Sequence, residues 1–323
     1  MFATPAVAGD RLFIGSCAGK FYAVDRQSGR VLWTHEVAAE KGHANFHGDS
    51  IFAGESIVTD TDGVSPDAGY IWAFDRNTGD LRWNFHVPEG ATTDLVQLGG
   101  AIFAGSSTGR LISIDAANGK LRWELPPTRE ALFYTQAPIV DDSRILFSDP
   151  AGGIVAVNAA SGAVVWQRAI SSQTPLLIAL AGRDLYAASQ STHEIYRVDA
   201  EGGVLKSTFA LPAAPRWRLA ATDSCVLTTL EDNSLLCLDR DLESVRWRQT
   251  LPAEISTKQP FTRADAVLVG TATGVLSAFR LADGKAEWSY TLGGRIVSVA
   301  SSESVLYVGT RQGVVSAIRP EED

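Results

Sequence analysis

The sequence predicts an all-β fold, a β-propeller of eight four-stranded antiparallel blades. Three observations predict it. Self-similar units of about forty residues cover the chain, each unit reads as four short strands, and most units carry a turn residue followed eight positions later by tryptophan.

The tryptophans are Trp33, Trp83, Trp123, Trp166, Trp247 and Trp288, and the turn residues ahead of them are Asp25, Asp75, Asp115, Asn158, Asp239 and Arg280. Asp199 marks a further copy, in which Ser207 replaces the tryptophan and Phe209 is expected to fill its space. Arg319 marks the last copy, where the sequence ends before a tryptophan position. The eight markers are spaced by 50, 40, 43, 41, 40, 41 and 39 residues.

The first copy shows the strands in order. Pro5-Ala6-Val7 begins inner strand A, Arg11 to Gly15 form strand B, Lys20 to Asp25 form strand C, and Arg30 to Trp33 open strand D. Each run is short, mostly apolar and bounded by Gly or Asp, as expected of strands buried between sheets. The corner from Asp25 to Gly29 recurs as Asp75 to Gly79 and Asp115 to Gly119. Its carboxylate can accept turn amides, and its glycine takes positive φ at little steric cost. The indole then covers apolar area between one blade and the next. A four-stranded sheet has two apolar faces, and a closed circle of such sheets buries both.

The segments "GYIWAFDRNTGDLRW" (Gly69 to Trp83) and "GRLISIDAANGKLRW" (Gly109 to Trp123) resemble the PQQ-like propeller repeat, and the resemblance spans the chain. It implies one propeller domain over residues 1–323. It says less of function, because families with this repeat include quinoprotein dehydrogenases, BamB-type outer-membrane assembly lipoproteins and sensor domains attached to kinases.

How the eighth copy closes is left open. It supplies strands A to C only, so either a strand from a missing N-terminus completes it or the last blade is three-stranded. An unpaired edge would invite aggregation or a partner. Met1 and Phe2 lead straight into strand-like residues with no basic leader region. The compartment is therefore undetermined: cytoplasmic, or the cell envelope and periplasm by resemblance if a leader is missing. No run approaches the roughly 20 apolar residues that span a bilayer. The net charge of −9 argues against nucleic acid as the main partner. A monomer is expected. Cys17, Cys225 and Cys237 have no metal-ligand spacing and read as buried or half-buried free thiols. A Cys225–Cys237 disulfide would need the two strands to set them opposite each other.

The residues leading into strand A should ring the channel mouth. Alignment places His47 and Asp49 there in blade two, Thr92 and Asp94 in blade three, and Thr135 in blade four, with Arg129 slightly upstream. Pro175 and Leu177 follow in blade five, Arg216 and Arg218 in blade six, Lys258 and Gln259 in blade seven, and Arg295 in blade eight. Such a mouth, acidic on one side and basic on the other, would hold an anionic small molecule or a charged peptide. The plainer reading is a solvated rim of compensating charges. His43, His47 and Asp49 could bind zinc, but a hydrogen-bonded rim cluster is expected instead. Asp60, Asp62 and Asp67 in "DTDGVSPD" lack the full calcium-loop pattern, and turn chemistry with Gly63 and Pro66 is expected.

The expected function is a non-catalytic, BamB-like scaffold that binds another protein through its loop-bearing face, with no catalytic residue, no metal and no cofactor. The alternatives are a sensor of a small ligand and a PQQ-dependent dehydrogenase. Arginines would suit the tricarboxylate PQQ, yet the adjacent cysteine pair usual in the dehydrogenases is absent.

Overall fold

The computed structural model describes residues 3–37, 44–63, 69–88, 90, 94–106, 108–126, 137–170 and 174–320. Their strands form eight antiparallel sheets in chain order, the blades of an eight-bladed β-propeller. Blade one is β1 (Ala6–Ala8), β2 (Arg11–Gly15), β3 (Lys20–Asp25) and β4 (Val31–Glu36). Blade two is β5 (Ala44–Asn45), β6 (Ile51–Ala53), β7 (Ser56–Gly63), β8 (Tyr70–Asp75) and β9 (Leu81–His86), where β5 and β6 both pair with β7. Blade three is β10 (Val96–Leu98), β11 (Ala101–Gly105), β12 (Leu111–Asp115) and β13 (Leu121–Leu125). Blade four is β14 (Ile139–Asp141), β15 (Arg144–Ser148), β16 (Gly153–Asn158) and β17 (Val164–Ala169).

Blade five is β18 (Leu177–Ala181), β19 (Asp184–Ser189), β20 (Glu194–Asp199) and β21 (Leu205–Ala210). Blade six is β22 (Ala220–Ala221), β23 (Val226–Thr229), β24 (Ser234–Leu238) and β25 (Val245–Thr250). Blade seven is β26 (Phe261–Arg263), β27 (Ala266–Gly270), β28 (Val275–Arg280) and β29 (Ala286–Thr291). Blade eight is β30 (Ile296–Ser302), β31 (Val305–Thr310) and β32 (Val315–Ile318), three strands among the described residues.

Asp75 accepts the Asn77 and Thr78 amides at 2.8 and 3.0 Å, and Asn158 accepts those of Ala160 and Ser161 at 3.0 and 3.1 Å. Just before each corner the pairing of the last two strands slips, as at Ala73/Phe74 and Ala156/Val157. That bulge sets the tryptophan of the outer strand opposite a small side chain: Trp33 faces Ala23, Trp83 faces Ala73, Trp123 faces Ser113, and Trp288 faces Ala278.

The chain divides into two compact units, Met1–Ile145 with Asn158–Ala163 and Val299–Asp323, and Leu146–Val157 with Val164–Ser298. In the first unit the indoles of the outer strands cross to the following corner. Trp83 Nε1 donates to the Ala116 carbonyl at 3.1 Å, and Trp123 Nε1 to that of Ala159 at 3.0 Å. The indole faces lie on Gly119 and Gly162, both at positive φ (70° and 72°). Between blades one and two, Phe13, Phe21, Phe46, Ile57 and Phe74 are fully buried in one cluster. Leu12 of blade one packs with Val305 and Tyr307 of blade eight, and Arg26 donates to Ser302 Oγ at 3.0 Å.

In the second unit Trp166 and Trp247 donate to the carbonyls of Ala200 and Leu281 at 3.0 and 2.8 Å. Blade five lacks an indole, and there Ser207 Oγ donates to the Asp241 carbonyl at 2.7 Å. Phe209 is only part of the replacement, packing with Tyr186 and Leu242 in the cluster between blades five and six. The residue facing Ser207 is Arg197 instead of a small one. It pairs with Asp184 at 3.0 Å and with Asp241, while Lys206 and Arg240 reach Asp184 at 2.8 and 3.3 Å. Burial opposes ionisation of Asp184, but hydrogen bonds from Arg197 and Lys206 outweigh it and hold the carboxyl below its usual range.

Cys225 and Cys237 are buried free thiols, and Cys237 stands opposite Leu227 instead of Cys225. Cys17 departs from the expectation of burial: it sits exposed in the turn after β2.

Candidate functional site

The segment leading into β6 is laid down tightly. Phe46 is fully buried, its amide donates to the Ser16 carbonyl at 3.2 Å, and a Cβ on Gly15 would sit 2.2 Å from the Phe46 Cβ. A Cβ on Gly48 would lie 1.9 Å from Asp60 Oδ1, so only glycine fits there. This packing delivers His47 and Asp49 in defined positions.

Asp49 is engaged from both ends. Its Oδ1 accepts the Thr4 amide at 2.6 Å, and its own amide donates to Asp94 Oδ1 at 2.8 Å. Thr4, Asp49 and Asp94 each stand two residues before the inner strand of their blade, so carboxylates link three successive blades. Asp94 is buried and Asp49 half-buried. The carboxylates expected to line an acidic mouth thus spend these bonds on backbone amides, a structural task.

His47 lies between two side chains. Its Nδ1 is 2.9 Å from Asp62 Oδ2, and its Nε2 is 3.3 Å from Cys17 Sγ. Asp60 and Asp62 correct the expectation of a loop, for both lie in the eight-residue strand β7 and are buried. β7 is extended because its far end gains a second partner, with Asn45 of β5 set opposite Asp62. His43, Pro66, Asp67, Thr92, Arg129 and Thr135 lie outside the described residues.

The second unit carries the basic candidates. Arg216 Nη1 is 2.9 Å from Glu254 Oε1, and Arg295 clasps the same carboxylate with Nη2 and Nη1 at 2.5 and 3.3 Å. The Arg295 hydrogen bond, helped by both guanidinium charges against some burial, holds the Glu254 carboxyl below its usual range. Arg218 donates its amide to the Lys258 carbonyl at 3.0 Å, and Lys258 donates its own to that of Val297 at 3.1 Å. The residues entering blades six, seven and eight are therefore joined edge to edge. Their side chains are half-buried, and Gln259 is exposed. Pro175 precedes Leu176, whose amide donates to Ser148 Oγ at 2.6 Å just ahead of Leu177.

Sequence reasoning missed Glu254, Asp62 and Cys17 as members of these groups. Glu254 had a signal: "LPAE" (Leu251 to Glu254) repeats "LPAA" (Leu211 to Ala214) one blade earlier, with a carboxylate where the other copy has a methyl. Asp62 and Cys17 had none, since they meet His47 from 15 and 30 residues away.

The sequence matches the profile of a family described as outer membrane protein assembly factor BamB, over residues 2–208 and 191–322. The BamB of Moranella endobia is 19% identical over 292 residues, covering 87% of this chain and 75% of the relative. That of Shewanella oneidensis is 26% identical over 212 residues, covering 61% and 50%. A polyvinylalcohol dehydrogenase of a Sphingopyxis species is 30% identical over 144 residues, which is 38% of this chain but 21% of the relative. Among solved structures, BamB of Moraxella catarrhalis superposes with a TM-score of 0.81 at 19% identity, covering 98% of this chain and 93% of that one. A europium-containing methanol dehydrogenase gives 0.69 at 13% identity, covering 95% and 82%. At these identities the structural likeness speaks for the fold alone.

Proposed function

Since this chain belongs to the family described as outer membrane protein assembly factor BamB, we propose that it is a non-catalytic scaffold that holds another protein during outer-membrane protein assembly. The observation that carries this reading is the family match, which runs through nearly the whole repeat array. The geometry supports it in kind. Amide-to-carboxylate bonds through Thr4, Asp49 and Asp94, and backbone bonds through Arg218, Lys258 and Val297, tie the blade-entry segments to their neighbours. A surface so preorganised loses little entropy on docking. The envelope is the corresponding compartment.

The dehydrogenase reading has relatives of its own, but the candidate residues suit it less well. A tricarboxylate quinone would need guanidiniums to spare, and Arg216 and Arg295 are committed to Glu254.

The test uses the full chain with photo-crosslinkable residues in place of exposed turn residues. At Glu231 or Gln312, in the turns between the second and third strands, capture of the purified outer-membrane assembly machinery is expected. At Asn77 or Ser161, on the opposite corners, it is not. Equal capture from both faces, or none from either, would count against the scaffold. Dye-linked alcohol oxidation on addition of PQQ and calcium would replace it with the enzyme.

A further inference from the structure

Three side chains from three separate stretches converge in the first unit in an order that has chemical meaning. Cys17 is exposed in the turn between β2 and β3, His47 lies in the segment between β5 and β6, and Asp62 is on β7. The imidazole bridges the other two, with Nε2 3.3 Å from the Cys17 sulfur and Nδ1 2.9 Å from Asp62 Oδ2. His47 and Asp62 side chains are 31% and 12% exposed, so the group runs inward from an open thiol to a buried carboxylate. Asp62 Oδ1 is buried with no hydrogen-bond partner among the described residues, leaving Oδ2 and the imidazole as the carboxylate's bond.

The arrangement is held from beneath. The Phe46 amide on the Ser16 carbonyl ties the cysteine turn to the histidine segment. The Asn45–Asp62 pairing sets the carboxylate two residues from His47. A nucleophile beside a base that a third group orients is the signature of an activated side chain. Asp62 fixes the ring with Nδ1–H donated inward, which leaves Nε2 to accept from the thiol. The groups do not form a metal cage, because sulfur and carboxylate sit on opposite nitrogens of one ring.

We propose that Cys17, His47 and Asp62 form a thiol-exchange site that takes low-molecular-weight disulfides. Cys17 Sγ passes its proton to His47 Nε2 and attacks one sulfur of R–S–S–R. The Cys17–S bond forms as the S–S bond breaks, and the departing thiolate collects the proton from the imidazolium. The added disulfide is the oxidant, and Cys17 ends as a mixed disulfide. Cys225 and Cys237 are buried, so neither is poised to resolve it and the adduct persists. His47 is the base, and Asp62 is a positioning residue that steadies the charge developing on the ring.

The test uses glutathione disulfide as probe and the full chain, with adducts located by intact mass and peptide mapping. One adduct, at Cys17, is expected. At pH 7 the folded protein should react at least about 10-fold faster than the same cysteine in the urea-unfolded chain, given what a positioned base contributes. His47→Gln should lose that advantage. Asp62→Asn should lose much of it and shift the pH–rate profile, whereas Asp62→Glu should restore part of the rate. Adducts at Cys225 or Cys237 in a variant would signal unfolding, and the comparison then rests on the wild-type pH–rate profile, folded against unfolded. A folded rate equal to the unfolded one, or a folded His47→Gln protein as fast as wild type, would overturn the proposal.

Discussion

The indole of Trp83 lies flat on Gly119, so close that a Cβ there would sit 2.5 Å from Trp83 Cε3. The same pairing joins Trp33 to Gly79, Trp123 to Gly162, Trp166 to Gly203 and Trp247 to Gly284, where a Cβ would lie 2.6 to 2.7 Å from the nearest ring atom. Each corner glycine answers two demands at once, a backbone at positive φ and a bare surface for the preceding blade. Gly29 meets only the first. It has φ of 72° and nothing within 4 Å, because no described tryptophan reaches the corner of blade one.

That contrast separates strain from crowding. Gly119→Ala must bear both a left-handed alanine and a displaced indole, and should cost about 3 kcal/mol. Gly29→Ala bears the first only and should cost about 1 kcal/mol. Urea melts of the two variants beside wild type measure the difference, and equal losses would mean that the indole yields freely.

The seam between blades five and six supplies the second expectation. Asp184→Ala would strip a buried carboxylate from Arg197, Lys206 and Arg240 and leave three cations facing one another. A loss of about 3 kcal/mol is expected, as for a broken buried ion pair. Asp241→Ala, at an exposed partner of the same arginine, should cost about 0.5 kcal/mol. Thermal unfolding of the two variants decides between a shared network and a local one.

Adding the missing indole should not help. Ser207→Trp would place the ring against Arg197, where the tryptophan at the equivalent position of the other blades faces Ala, Ser or Cys. It would also meet a corner where Glu243 replaces glycine and Leu242 takes the left-handed backbone at φ 61° with its side chain buried. A destabilisation of about 2 kcal/mol is expected, partly recovered when Arg197→Ala is added. A double-mutant cycle reads the coupling, and strict additivity would contradict it.

Acid should act through the corners. Hydrogen bonds from Arg82 and from the Thr78 and Asn77 amides hold the Asp75 carboxyl down to about 2. Its unfolded counterpart titrates near about 4. Asp75 therefore contributes stability that is complete above the unfolded value and lost as the pH falls toward 2. Asp115, Asp199, Asp239 and Glu254 are lowered as well, and add to the same limb. Urea midpoints should hold between pH 7 and 5 and fall steeply below 4, with a shallower fall in Asp75→Asn. A midpoint that declines from pH 7 would point to other groups.

Much of the scaffold was legible in the residues because the propeller is written in local signals. An Asp or Asn corner, a glycine and an indole at fixed spacing state where a strand ends, how the chain turns and which side chain crosses to the next blade. The Ser207 copy stands out as a deviation, and the sequence points to Phe209 as its remedy. The fuller remedy involves Arg197, Asp184, Arg240 and Leu242, and the last three lie 23, 33 and 35 residues from Ser207 in the chain. Alignment of the copies places the mouth residues, yet it carries no information on what faces them. Asp49 bonds to Thr4 and Asp94, and Arg216 to Glu254, across 45, 45 and 38 residues.

By itself, then, the amino-acid order determined the repeat, its four-strand unit, its number of copies and the corner chemistry, since each depends on neighbours within a few positions. Tertiary structure alone decided which charges are spent and which side chains meet. Glu254 pairs with two arginines, β7 carries Asp60 and Asp62 into the interior, and Cys17, His47 and Asp62 come into one line. The physical reason is that such contacts are set by blades packing side by side, where residues far apart in sequence share one small volume.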